Sequence, residues 1–218
     1  MSGIIINSFV VASLPLLVGV DADWTNSGSV ASSTTLTVNL PVDAAVGDLC
    51  FFATTNTSSL TCTWTAGWTE LDDRTTTRPL AYCYKVLDSA DISAGNVTCT
   101  FSGTASTAQG VTFIVRNHNV ATSAPEDNTG AAGTSTTPNP DSTSPSWGTA
   151  ASTCYVAIYA GADLSASPSG YTTLFAFGSL GVHAAYKIAT SASDDPETFT
   201  QASSTGWRTN TIAVRGLI

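Results

Sequence analysis

The sequence predicts an all-β protein, a jelly-roll-like antiparallel β-sandwich, and three observations carry that reading. Strand patterns run from one end of the chain to the other, no stretch sustains a 3.6-residue apolar period, and the second half repeats the motif order of the first. Thr35-Leu36-Thr37-Val38-Asn39-Leu40 alternates polar and apolar without a break, the signature of a half-buried strand. Val97-Thr98-Cys99-Thr100-Phe101 does the same. Leu49-Cys50-Phe51-Phe52-Ala53 and Tyr155-Val156-Ala157-Ile158-Tyr159 are unbroken apolar runs of strand length, as buried sandwich strands give. Clusters of Gly, Pro, Asn, Asp and Ser punctuate these runs and predict the turns.

The repeat organises the chain. Gly67-Trp68-Thr69-Glu70-Leu71 matches Gly170-Tyr171-Thr172-Thr173-Leu174, and Ala81-Tyr82-Cys83-Tyr84-Lys85-Val86 matches His183-Ala184-Ala185-Tyr186-Lys187-Ile188. Thr98-Cys99-Thr100 matches Thr198-Phe199-Thr200, and Thr112-Phe113-Ile114-Val115-Arg116 matches Thr211-Ile212-Ala213-Val214-Arg215. Cys50, ahead of its apolar run, pairs with Cys154. The blocks keep their order while the offset between copies shrinks steadily, as small loop deletions would make it do. The reading is one sandwich domain over residues 1–218. The first repeat covers about 35–118, a surface crossover loop about 119–148, and the second repeat about 149–218. Pro125, Pro138, Pro140 and Pro145 favour a loop over a strand in the crossover. Neither half has enough large apolar residues to close a core comfortably alone, so one larger sandwich is preferred to two small ones. The aromatic beside each Gly is expected to plug one end of the core, with Lys85, Lys187, Arg116 and Arg215 on the opposite strand face.

Composition narrows function. Charged residues are 11% of the 218, so Ser, Thr, Asn and Gly carry the polar surface. Such a surface suits extended contact with other proteins, because little charge is desolvated on docking. Seven Lys+Arg against 16 Asp+Glu give a net charge of −9, and the first basic residue is Arg74. No cluster of cations is present to neutralise phosphates, which argues against a nucleic-acid partner. The apolar opening around Ile4-Ile5-Ile6 lacks a charged start and is interrupted by Asn7, Ser8, Ser13 and Pro15. It reads as a strand and bend, or as an arm docking on a neighbouring subunit, rather than a signal or a membrane span.

Candidate chemistry is sparse. Cys50, Cys62, Cys83, Cys99 and Cys154 form no CxxC pair and read as small buried hydrophobes. Cys62 and Cys99 should both point inward, and neighbouring strands would allow a disulfide between them. The two histidines, His118 and His183, lack matching partners in the other repeat, and there is no Gly-x-Ser-x-Gly elbow. Asp194, Asp195 and Glu197 could offer oxygens to calcium, but their spacing matches no calcium loop. No cofactor is expected, and no enzymatic activity. Trp24 and Trp147 have polar neighbours and are the tryptophans expected at the surface, available to a partner or a glycan.

The order Val46-Gly47-Asp48-Leu49, Ala66-Gly67-Trp68-Thr69, Tyr82-Cys83-Tyr84-Lys85-Val86, an alternating Thr strand and Ile114-Val115-Arg116 resembles a β-sandwich module of tailed-bacteriophage virion proteins. The resemblance runs from about residue 35 to the C terminus. This chain departs from it at Thr65, where the family usually has proline, and at Tyr171, where it has tryptophan. It implies a structural protein made in the host cytoplasm and exposed on the particle exterior, with no catalytic residues to transfer. No stalk-forming coiled coil or fibrous repeat is present, which favours a capsid-decoration (cement) or neck accessory protein over a long tail fibre. Implied partners are the major capsid or neck and tail proteins and sister copies, with a trimer favoured. The alternative is a glycan- or receptor-binding module of a tail fibre, since jelly rolls serve lectins as often as capsids.

Overall fold

The computed structural model describes residues 16–26, 33–176 and 181–217, the first span through its backbone alone. Ile4, Ile5 and Ile6 lie outside the described residues. The first half contains β1 (Leu16–Asn26), β2 (Ser33–Asn39), β3 (Leu49–Asn56), β4 (Cys62–Trp64), β5 (Thr69–Arg74), β6 (Leu80–Val86), a short α1 (Ser89–Ala94), β7 (Asn96–Ala105) and β8 (Thr107–Arg116). The second half contains β9 (Glu126–Asp127), β10 (Ala131–Ser135), β11 (Thr153–Gly161), β12 (Leu164–Ala166), β13 (Thr172–Phe175), β14 (Gly181–Ala189), β15 (Thr200–Gln201) and β16 (Thr205–Arg215).

The strands form two large sheets and two small ones. One large sheet has the order β1-β8-β3-β6-β5 and the other β10-β16-β11-β14-β13, with β9 also on β16. The small sheets are β2-β7-β4 and β12-β15. In the first half the chain alternates between its large and small sheet, so that β1 pairs with β8 and β2 with β7, which is jelly-roll order. The departure is β5, which joins β6 in the large sheet.

Alternation of side chains across each strand explains the layering. From β3, Leu49, Phe51 and Ala53 point to the second large sheet, whereas Cys50 and Phe52 point to the β2-β7-β4 sheet. From β11, Cys154, Val156, Ile158 and Ala160 point back at the first large sheet, and Tyr155, Ala157 and Tyr159 point away from it. The largest core therefore lies between the two large sheets and draws on both halves. Phe51 stacks on Phe113 at 5.0 Å, and Phe175 of the second half lies 5.9 Å from Phe113. Each half also carries a separate outer core. Strands of both large sheets thus build the central core, with further apolar clusters on their outer sides.

Several expectations need correction. The stretch 119–148 is more than a surface loop, because β10 inside it pairs with β16 over Ala131–Ser135 as an edge of the second large sheet. Beyond β10 the chain runs as a strap with Pro138, Pro140, Thr143, Pro145 and Trp147 buried. It takes the side of the second half that β2 takes in the first. Phe199 N–H donates to Pro138 O (2.8 Å), Gln201 N–H to Thr136 O (2.9 Å), and Thr143 and Asp194 exchange backbone bonds. Prolines cannot donate to a ladder, which leaves this segment a strap. Cys154 is also one residue out of step with Cys50. Cys50 lies opposite Lys85 and Ile114, while Tyr155 is the residue opposite Lys187 and Ala213. A one-residue slip reverses the face, so Cys50 faces its own small sheet and Cys154 faces the central core. Lys187 does not avoid the aromatic face either, since its Nζ lies 5.7 Å from the Tyr171 ring centre. Finally, α1 escaped the periodicity search because it is a single capped turn and a half. Asp88 caps it and Asp91 bonds back to the Asp88 N–H, with Gly95 closing it in a left-handed conformation.

A shared core predicts shared unfolding. Phe113→Ala should cost about 3–5 kcal/mol, and urea melts followed by tryptophan fluorescence and by far-UV circular dichroism should shift together in one transition. Two separate transitions would show that the halves do not depend on each other.

Candidate functional site

Among the places where polar groups gather in the described residues, two bear on function, one inside and one outside. The inner one lies at the margin of the central core. Tyr82 on β6 donates its hydroxyl to Asp127 Oδ2 (2.7 Å), and Asn210 on β16 reaches Asp72 Oδ2 (3.2 Å), Asp127 Oδ2 (3.3 Å) and the Tyr82 hydroxyl. Arg74 Nε closes the group on Asp72 Oδ1 (2.8 Å). Nearby, Arg208 donates to Thr76 O and Oγ1 (both 2.8 Å). Burial raises the Asp127 carboxyl above its usual range, and burial with neighbouring negative charge raises the Tyr82 hydroxyl well above its own. Each of these bonds joins a residue of the first half to one of the second or braces one that does. The group ties the two large sheets together.

The outer place is the solvent face of the β2-β7-β4 sheet. Inward positions are Leu36, Val38, Cys62, Val97, Cys99 and Phe101, all buried. Outward positions are Thr35, Thr37 and Asn39 on β2, Asn96, Thr98, Thr100 and Ser102 on β7, and Thr63 on β4 with Thr61 and Thr65 flanking it. The register sets Thr35 and Thr63 on either side of Thr100, and Thr37 beside Thr98. Thr37 and Thr98 share a hydroxyl hydrogen bond of 2.8 Å, and Thr65 Oγ1 donates to Thr98 O (2.9 Å). None of these outward positions is charged, in a chain of net charge −9. β-Branched side chains hold few rotamers, so the face is stiff as well as neutral.

The residues singled out from sequence fall in different places. Trp147 is buried at 8% exposure, and its indole N–H donates to Thr153 Oγ1 (2.7 Å), which corrects its expected exposure. It fills the outer core of the second half with Tyr155 and Ala213, and the polar neighbours that suggested exposure belong to the strap. Trp24 lies in β1 opposite Gln109, and its side chain lies outside the described residues. All five cysteines are buried free thiols. The strands of Cys62 and Cys99 are neighbours, but Cys62 pairs with Phe101 and Trp64 with Cys99, a diagonal rather than a direct pair. Diagonal positions lie about 7–8 Å apart, at the limit a disulfide spans without backbone movement. The neighbouring Cys99 thiol and burial push the Cys62 thiol strongly up, and burial pushes Cys154 up to about 12, so both resist ionisation.

His118 donates its Nε2–H to Gly47 O (2.9 Å), at a strand end as expected. His183 is fully buried, stacked on Tyr159 at 4.5 Å and 15°. Burial lowers its pKa to about 3, so it is a neutral core residue at pH 7. Asp194 is buried, with Oδ1 on Lys187 Nζ (2.5 Å) and Oδ2 accepting from the Tyr171 hydroxyl. Asp195 and Glu197 are exposed. Asp194 therefore already has protein partners at both oxygens, and no group of three or more metal-ligating side chains occurs among the described residues. The same device recurs in the first half, where Lys85 binds Asp91 (2.8 Å) beside the Gly67-Trp68 turn. Sequence reasoning missed Asp91 and Asp194 as the lysines' partners. The repeated Tyr-Lys followed by a downstream Asp was the available signal.

The chain matches no family model, no curated protein and no solved structure.

Two predictions follow from these environments. The depressed pKa of His183 means the unfolded chain binds a proton that the folded chain refuses between pH 6.5 and about 3. Its contribution is fully present above pH 6.5 and is lost as pH falls, by about 3 kcal/mol at pH 4. Urea midpoints of His183→Phe should fall less steeply between pH 7 and pH 4 than those of the parent, and equal slopes would reject the assignment. The thiols should be silent to iodoacetamide in the folded protein, with all five labelled in concentrated urea by intact mass. Labelling of any thiol without denaturant would contradict the burial described.

Proposed function

We propose that this chain is a non-enzymatic structural protein on the exterior of a tailed-phage virion, a capsid-decoration or neck accessory protein. The observation that carries the reading is the neutral threonine face of the β2-β7-β4 sheet. Docking a charged surface means stripping water from each ion, whereas a face of hydroxyls and methyls loses little and packs closely. The resemblance of the Gly-Trp-Thr, Tyr-Lys and closing Arg motifs to phage virion modules supports the same reading. So does the scaffold, in which the polar groups inside the fold pair with one another and brace the two halves. On a particle the function is geometric. The face covers a patch on the capsid, the neck or sister copies, in a symmetric oligomer such as a trimer, and many weak contacts add through multivalency. The glycan-binding alternative loses one of its two tryptophan candidates with the burial of Trp147.

The reading is tested by purifying intact particles and measuring this chain's copy number against the major capsid protein. A fixed stoichiometry, with rebinding of the purified chain to stripped particles, is the expected result. Thr37→Lys/Thr98→Lys should weaken rebinding at least tenfold while leaving the fold intact by circular dichroism. A chain absent from particles, or one that binds a glycan array and ignores stripped capsids, would overturn it.

A further inference from the structure

Large hydrophobic residues exposed among the described residues are Val42 (102%), Val46 (64%), Val86 (40%) and Leu217 (41%). They share one end of the molecule. Val86 pairs with Leu49 where β3 begins, and Gly47 N–H donates to Leu87 O and Leu87 N–H to Asp48 O (both 2.9 Å), which brings the end of β6 against the loop that carries Val42 and Val46. His118 bonds Gly47 O, and Leu217 N–H donates to Asn117 O (2.9 Å), which brings the C-terminal end to the same place. Beside them is a hollow of about 190 Å³ lined by Leu40, Pro41, Val42, Ala44, Ile92 and Gly95. Isolated exposed apolar side chains need no explanation, but a gathering of them beside a hollow marks a binding surface.

We propose that the occupant is the chain's own N-terminal segment, with Ile4, Ile5, Ile6, Phe9, Val10 and Val11 covering this end in the same molecule. The tether is in the right place. β1 begins at Leu16, opposite Arg116, and the Arg116 guanidinium donates to Asp43 O (2.5 Å) and to both oxygens of Asp48 (2.8 and 2.9 Å). The fifteen residues before Leu16 thus leave the sheet beside the loop that carries Val42 and Val46. From Leu16 the five residues back to Val11 reach at most about 18 Å, and Ile4 can lie farther out. The segment is chemically matched as well: no acidic or basic residue precedes Asp21, in a chain with 16 acids. A segment without acidic or basic side chains can cover the apolar side chains of this end while the neighbouring ions keep their own partners, Arg116 with Asp48 and Lys85 with Asp91. A short tether supplies the arm at a local concentration of the order of millimolar, well above a second copy at micromolar protein. This favours closure within one molecule over exchange between two, and it does not depend on the virion reading.

The test is hydrogen exchange on the full chain, on a chain lacking residues 2–12, and on an Ile4→Ser/Ile5→Ser/Ile6→Ser variant that keeps the full length. Amides of residues 42–46 and 92–95 should exchange about tenfold faster when the arm is removed or made polar. The second measurement is oxidative cross-linking of an Ile5→Cys/Val42→Cys pair, expected to give a monomer with an internal link by peptide mass. Unchanged exchange in the serine variant overturns the proposal even if the deletion fails to fold. Links formed only between molecules overturn it too and assign the end to a second copy.

Discussion

The fold rests on one constraint: the inner strands of two large sheets bury both of their faces. Hydrophobic burial is the main favourable term in folding and scales with apolar area removed from water. A sheet covered on one face buries half of its side chains. Here β3, β8, β11 and β16 are covered on both, by the opposing large sheet and by an outer layer. That arrangement explains why β3 and β11 read as unbroken apolar runs and why small residues such as Ala157, Ala184, Ala185 and Ala213 are buried among them. It also explains the polar group at the margin. Asn210, Tyr82 and Asp127 bring hydrogen-bonding groups into a region where an unpaired one would cost about 1–3 kcal/mol, so they are arranged to meet each other across the two sheets. A misaligned pairing of the sheets would break several of these bonds at once, which makes the angle between the halves specific.

Much of the fold was legible in the sequence because period-two patterns are local. Thr35 to Leu40 and Val97 to Phe101 declare their strands without help from the rest of the chain, and both are buried on the face the alternation assigns. The runs at Leu49 and Tyr155 declare burial but not its partner. An unbroken run looks the same under any cover, so the four-layer stacking was not readable. The elements that were missed have physical reasons. Ala131-Ala132-Gly133-Thr134-Ser135 has no large apolar residue and becomes a strand because β16 offers it an unpaired edge. Cys50 and Cys154 share an identity but not a position, and the repeated lysines give the register instead, Lys85 opposite Cys50 and Lys187 opposite Tyr155.

The interaction surfaces were less legible than the core. Alternation in three strands predicted outward threonines singly, yet only strand pairing places Thr35, Thr63 and Thr100 side by side. Trp147 shows the converse. Polar sequence neighbours suggested exposure, but in a strap every second residue can turn inward against a sheet that the local sequence does not mention. Buried ionisable groups were equally hidden, since His183 lies in an ordinary-looking strand and its neutrality comes from burial between the layers around it. Distance along the chain carries no information about such neighbours.

The proline strap has an effect on the molecule as a whole. The two large sheets face each other, but one is roofed by the three hydrogen-bonded strands β2, β7 and β4 and the other by the short β12-β15 pair and the proline strap. Their outward surfaces are therefore unlike, one a regular neutral lattice and the other an irregular covering of turns and prolines. A body built from two similar parts might have been interchangeable end for end. This one has two unlike outward faces, so a partner shaped to one of them does not fit the other.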